Sequence, residues 1–345
     1  LTRSRRITYN NLSQRDPMLV RSVDSAFAAP ASTHPAAGSA RLSPPPMFVP
    51  IFLRGLEITN RVAGTTLGAG LTISDFTAVS SEGRISPETP GIYSMDEIKR
   101  LKEYVVRAHG ESRSRFVLQL GHAGRRGAAR PPSQGVDRPL RWGGWPLLSA
   151  SPVAYSKHGR VPEELTVGQM RRLVEAFAGA ASAAAECAVD MLELNFAQGY
   201  LVASFISPLT NLRSDDYSGS LDNRMKFPLQ ILDRVREAWR GPLMVRISAS
   251  DCAAGGTGLD EAVLIARALK THGCDLLHPV MGQTVLESRP DYGRLFGVPA
   301  SDRIRNEAGI ATLASGHIAT ADEVNTVLAA GRADLCQLDD LPAGL

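Results

Sequence analysis

Leu243-Met244-Val245-Arg246-Ile247-Ser248, followed by the helical pattern Leu259 to His272 and then by Asp275 to Val280, is the stretch on which the fold turns. The first and third pieces are short runs rich in Leu and β-branched residues, suited to buried strands. Between them apolar residues recur at helical spacing. Strand, helix and strand in that order make a parallel βαβ unit.

The alternation continues in both directions. Further strands are expected at Leu71 to Phe76, Arg115 to Leu120, Asp190 to Leu194, Ala311 to Ser315 and Asp334 to Leu338, with a weaker one at Asn60 to Gly64. Helical patterns cover Met95 to His109, Val167 to Cys187, Leu221 to Trp239 and Ala321 to Ala330. Three S/T-x-x-E/Q capping boxes, Ser94 with Glu97, Thr166 with Gln169 and Thr320 with Glu323, mark helix starts. Seven strands and the weak eighth predict an α/β fold, a (β/α)₈ TIM barrel. No GxGxxG follows the first strand, which disfavours a Rossmann dinucleotide site.

Composition agrees with a soluble globule: of 345 residues 43% are apolar and 21% charged, and no apolar run is long enough for a membrane span. The net charge of +3 is scattered, so nucleic acid is not an expected partner. Cys187, Cys252, Cys274 and Cys336 are far apart with no CxxC, which argues against zinc and a disulfide framework and for reduced thiols in the cytoplasm. No secretory leader opens the chain, and the first residue is Leu1, so the natural start is left open.

Residues 1–27 carry a short helical pattern of Leu19, Val20, Val23 and Phe27, and residues 28–46, rich in Ala and Pro, read as an extended linker. The barrel is expected over 47–345.

In such a barrel the chemistry lies at the carboxyl ends of the strands. Gln119 ends the third strand ahead of Gly121-His122-Ala123-Gly124-Arg125; its amide can both donate to and accept from a ring edge, and the glycines allow close backbone approach, though a satisfied turn residue fits equally. The fourth strand ends in Asn195, Gln198 and Tyr200. The two amides can pair with a carbonyl, and Tyr200 can deliver a proton to a strongly basic centre; a plain polar loop is the bland alternative. Arg246 inside the apolar fifth strand needs a partner, either an electron-rich ligand or a barrel acid such as Glu193. Gly316, in Ser315-Gly316-His317 ahead of a capped helix, suits a phosphate or a simple left-handed turn.

Pro50 to Val62, Gln119 to Arg125, and Ser207-Pro208-Leu209-Thr210-Asn211 through Gly219 to Arg224 together resemble the old yellow enzyme family of FMN-dependent ene-reductases, from about Met47 almost to the end. Ser80 to Ile85, Trp145-Pro146-Leu147 and Asp302 to Thr312 are similar to the reductase half of bifunctional aminobenzoyl-CoA or salicylyl-CoA monooxygenase/reductases. Arg5 to Leu12 and Arg15-Asp16-Pro17 resemble the tail of the preceding monooxygenase module.

The resemblance implies that Gln119 and Arg246 contact the FMN ring, that Gly316 helps hold its phosphate, that Tyr200 is the catalytic proton donor and that Asn195 and Gln198 bind the substrate carbonyl. NAD(P)H is then the reductant. The substrate is a small carbonyl compound or aryl-CoA in aromatic metabolism, and a monooxygenase partner and a homo-oligomer are among the expectations.

Three departures stand out. Amides occupy Asn195 and Gln198 where the family has His with His or Asn. Asn60 to Gly64 runs almost directly into Leu67 to Leu71, so a loop and helix of the first βα unit are missing. Asp339-Asp340 stands where a Gly-Arg pair is expected. Two further functions stay open for these residues: a flavin-free barrel isomerising or cyclising a carbonyl substrate, and a non-catalytic interaction module.

Overall fold

The computed structural model of the chain describes residues 17, 18, 20, 21, 44–64, 68–157 and 159–338. Most of the 1–27 segment, nearly all of the 28–46 linker and the acidic pair at 339–340 lie outside the described residues.

Eight parallel strands close on themselves: β1 (Val62–Gly64), β2 (Leu71–Ile73), β3 (Arg115–Gly121), β4 (Met191–Phe196), β5 (Leu243–Ser250), β6 (Leu276–Met281), β7 (Ala311–Ala314) and β8 (Leu335–Gln337). Closure comes from Cys336 opposite Val62 and Gln337 opposite Ala63. The weak eighth strand of the sequence is therefore a true barrel strand, and the expected (β/α)₈ architecture is the observed one. Arg61 braces this seam by donating to the carbonyls of Val49, Pro50 and Asp334.

The helices are α1 (Met95–Glu111), α2 (Val167–Glu186), α3 (Leu201–Ile206), α4 (Leu221–Ala238), α5 (Leu259–Thr271), α6 (Val298–Arg303) and α7 (Ala321–Ala329). The boxes at Ser94 and Thr166 form with both reciprocal bonds, satisfying amides that a first turn otherwise leaves open. At α7 only half a box exists. Thr320 accepts from the Glu323 amide, but the Glu323 carboxylate turns to the Ala319 amide and to Arg294. The ion pair draws the carboxylate off the cap.

Among the described residues no helix lies between β1 and β2. A parallel neighbour ordinarily needs a crossover of about a dozen residues, yet these two strands are joined by residues 65–70 alone. Each strand is three residues long, so the chain has only about 10 Å to return. Asn60 fastens it: its side-chain oxygen accepts from the amides of Val62 (3.1 Å) and Gly70 (2.7 Å), and its Nδ2 donates to Gly68 (3.1 Å).

The amino end of the barrel is plugged. A hairpin, Ile51–Leu53 with Leu56–Ile58, turns on Arg54 (φ 46°) and Gly55 (φ 82°), the left-handed pair that a two-residue hairpin favours. Its Leu53 and Ile58 pack with Leu71, Val117, Met191, Met244, Leu276, Leu313 and Leu335 inside the barrel. Each such side chain contributes about 1.5–3 kcal/mol by burial, so this end is a core and only the carboxyl end is left for a ligand. A larger apolar layer joins β3–β6 to α2, α4 and α5 on the outside.

Candidate active site

Side chains two apart on a strand share a face. Val117, Met191, Met244 and Leu276 point into the plug. Their successors on the inward face are Gln119, Glu193, Arg246 and His278, so the next layer of the barrel is polar.

Glu193 is fully buried and central to it. Its carboxylate accepts from Arg246 Nε (3.1 Å), His278 Nδ1 (2.7 Å) and Gln119 Nε2 (2.6 Å). Burial alone would raise the Glu193 carboxyl, but the Arg246 charge and the His278 hydrogen bond hold it down at about 2. Burial, and then the Arg246 charge, push His278 below its ordinary value. The imidazole is therefore neutral, donates from Nδ1, and leaves Nε2 buried without a hydrogen-bond partner among the described residues.

Of the two partners expected for Arg246, the structure supplies the acid. It does not exhaust the guanidinium: the side chain is 14% exposed, and its two terminal nitrogens make no hydrogen bond among the described residues. Gln119 is more fully engaged, since its Oε1 also accepts from Asn195 Nδ2 (3.0 Å). The Asn195 oxygen in turn accepts from the Ala197 amide (3.0 Å). Asn195 thus belongs to the barrel network, whereas Gln198 holds Gln283 only at 3.5 Å through its side chain.

Tyr200 caps α3 and lies against Phe76, with ring centroids 5.0 Å apart, while the Arg126 guanidinium sits over its ring at 5.1 Å. Its hydroxyl has no hydrogen-bond partner among the described residues. Burial raises the phenol, against the pull of Arg126. Arg126 also stacks on Tyr155 at 4.3 Å and is tied to Asp137 (2.8 Å) and to the Gln198 carbonyl (2.6 Å). Ser248, next on the β5 inward face, accepts from the Gln198 amide at 2.9 Å. The fourth-strand loop is thereby fixed by β5 and by the segment after β3.

Packing requires the glycines after β3. A side chain at Gly121 would strike Phe76 at 2.3 Å, and one at Gly124 (φ 58°) would strike the backbone of Leu201 at 2.8 Å. Both lie where Tyr200 and α3 are set down. His122 is likewise internal: its Nδ1 accepts from the Gly124 amide (3.0 Å), and burial depresses it to about 4.

Gly316 has φ 101°, and an added side chain there would meet Phe296 at 2.8 Å. Its amide makes no hydrogen bond among the described residues, so the turn offers a free donor just ahead of α7. The structure thus brings Gln119, Asn195 and Arg246 into one network with Glu193, and Tyr200 beside Gln198 through Arg126. Gly316 stands apart at the end of β7. His278, Arg126 and Tyr155 were missed. His278 carries the same signal as Arg246, a polar residue inside an apolar strand; nothing local marks the other two.

A (β/α)₈ barrel plugged at one end, with free cationic and amide donors and a buried phenol at the other, defines a ligand-binding barrel. The family described as NADH:flavin oxidoreductase / NADH oxidase matches residues 48–338, and the chain belongs to that family. The NADPH dehydrogenase of Halalkalibacterium halodurans is 37% identical over 276 residues, 80% of this chain and 76% of that protein. The NADPH dehydrogenase of Geobacillus sp. (strain WCH70) is 37% identical over 317 residues, 84% and 88% of the two chains. Among solved structures, morphinone reductase matches with a TM-score of 0.69 at 24% identity, covering 87% of each chain. A 2-naphthoyl-CoA reductase complex matches with 0.74 at 20% identity over 85% of this chain, which spans 50% of that one. These two likenesses concern the fold.

Membership makes FMN the cofactor and NAD(P)H the reductant. The residues present fit FMN: the two Arg246 nitrogens not engaged by Glu193 could donate to acceptors of a flavin ring, and the open Gly316 amide suits its phosphate. Among the described residues no group of His, Cys, Asp and Glu is arranged to hold a metal, and no helix is long and apolar enough to cross a membrane.

Proposed function

We propose that the chain reduces a C=C bond conjugated to a carbonyl, on a dearomatised aryl or aryl-CoA acceptor. Tyr200 carries the reading: a buried phenol with an uncommitted hydroxyl, kept protonated by burial and set beside a guanidinium. FMN, when bound on Arg246, Gln119 and Gly316, supplies the hydride drawn from NAD(P)H. Gln198, held loosely by Gln283, donates to the substrate carbonyl, with Asn195 behind it. A neutral amide stabilises a developing oxyanion less than an imidazolium does, so the acceptor must be strongly electron-poor.

As negative charge builds on the carbon next to the carbonyl, Tyr200 gives that carbon its proton. Arg126 steadies the phenolate until water reprotonates it. The aryl-CoA acceptor is supported by the similarity of Ser80 to Ile85 and Asp302 to Thr312 to aryl-CoA reductase sequences and by the fold likeness to 2-naphthoyl-CoA reductase. The same reading makes 1–27 the tail of a monooxygenase module and 28–46 a linker, with a monooxygenase supplying substrate in the cytoplasm.

The visible spectrum of the purified chain, before and after addition of FMN, tests the reading. A bound flavin spectrum and NADPH oxidation stimulated by an enone are expected. Colourless protein that takes up no FMN would overturn it.

A further inference from the structure

Four βα connections meet at the carboxyl face around an open groove with a cavity volume of about 1240 Å³. Its charged lining is Arg125, Lys157 and Arg289 against the single carboxylate of Glu287, and Leu209 and Leu286 give it an apolar floor. The volume exceeds the roughly 300–1,000 Å³ of ordinary small-ligand pockets.

Arg125 is the unusual member. It is only 3% exposed, yet it forms no ion pair among the described residues. Its terminal nitrogens donate to the neutral carbonyls of Val153, Ala154 and Thr284, the Tyr155 ring lies against the guanidinium at 5.4 Å, and its Nε is buried with no hydrogen-bond partner among the described residues. Two other buried arginines, Arg213 and Arg224, each reach a carboxylate. A desolvated guanidinium with no carboxylate in contact is expensive, and burial pulls Arg125 down to about 10 against the more distant charges of Asp251 and Glu287. An anion entering the groove would remove that expense. Lys157 and Arg289, both exposed at the rim, would meet it first.

We infer that this groove is the subsite for a phosphate-bearing appendage, the nucleoside diphosphate that a pyridine dinucleotide and a coenzyme A thioester have in common. Phosphates lie on Arg125, Lys157 and Arg289, and the apolar part of the tether lies on Leu209 and Leu286. The groove joins the reacting end through Tyr155, which lines it and whose ring shares the Arg126 guanidinium with Tyr200. This inference rests on the reductase reading for what is delivered to Tyr200. The anion site itself does not depend on flavin.

The test is calorimetric titration of the full chain with ADP, coenzyme A and NADPH, for the wild type and for Lys157→Gln/Arg289→Gln. Both residues are exposed, so the double variant is expected to fold. ADP affinity should fall at least tenfold in the variant, and wild-type affinity should fall as salt is raised. A tenfold loss confined to NADPH assigns the groove to the reductant, one confined to coenzyme A assigns it to the substrate, and a loss of both makes it common. ADP that does not bind the wild type, or binds the variant equally well, overturns the inference. Because binding is read without turnover, that result would leave the reductase reading standing, and a colourless protein would leave this one standing.

Discussion

Glu193→Gln keeps the shape of the residue at the centre of the polar layer and removes its charge. Arg246, 14% exposed, is then left beside a neutral amide. Holding the carboxyl at about 2 instead of 4.5 corresponds to roughly 3 kcal/mol at ~1.4 kcal/mol per pH unit. Breaking one side of a buried ion pair costs about 3–5 kcal/mol. The two agree, so the variant should lose about 3 kcal/mol at pH 7, read by urea denaturation and tryptophan fluorescence. The sign with pH follows from the direction of the shift. A carboxyl depressed in the folded state contributes fully above its unfolded value and loses that contribution as pH falls from about 4.5 towards 2. The gap between wild type and variant should therefore close over that window. Glu193→Gln/Arg246→Met, which removes the stranded charge as well, should recover most of the loss. A single variant within 1 kcal/mol of wild type at pH 7, or a gap that stays constant from pH 5 to pH 3, would refute the ionised pair.

Gly316→Ala forces a side chain onto φ 101° and into Phe296 at 2.8 Å; about 1–3 kcal/mol of stability should be lost, checked by the same denaturation. Cys187, Cys274 and Cys336 are buried and their thiols raised, Cys274 to about 12. Ellman's reagent at pH 8 should accordingly titrate only Cys252 in the folded protein and all four cysteines in urea. Burial raises the Tyr200 phenol above its ordinary value, so its proton is present through neutrality. The rate of enone reduction should show no alkaline limb from Tyr200 below about pH 10, measured as a kcat–pH profile.

The barrel was legible because strand and helix periods do not mimic each other: 243–248, 259–272 and 275–280 each fall within two residues of an observed element. The missing first helix was legible as simple shortage, with too few residues between Gly64 and Leu71. What the sequence could not show is which polar residues touch. Arg246 visibly needed a partner, and Glu193 was one of two choices. That Glu193 also takes Gln119 and His278 depends on barrel stagger, which brings together residues 74 and 85 positions away from it. The packing role of the glycines after β3 was hidden for a related reason. Their tight contacts are with Phe76 and Leu201, and a glycine made necessary by packing looks in sequence like one kept clear for a ligand.

The most direct test follows flavin reoxidation under anaerobic conditions, in the NADPH-reduced protein and in Tyr200→Phe mixed with an electron-poor enone. The variant should reoxidise at least about 100-fold more slowly, the usual worth of a positioned general acid, while its reoxidation by oxygen, which needs no carbon protonation, should be unchanged. Equal rates with the enone would contradict the assignment of Tyr200 as proton donor and, with it, the proposed reaction.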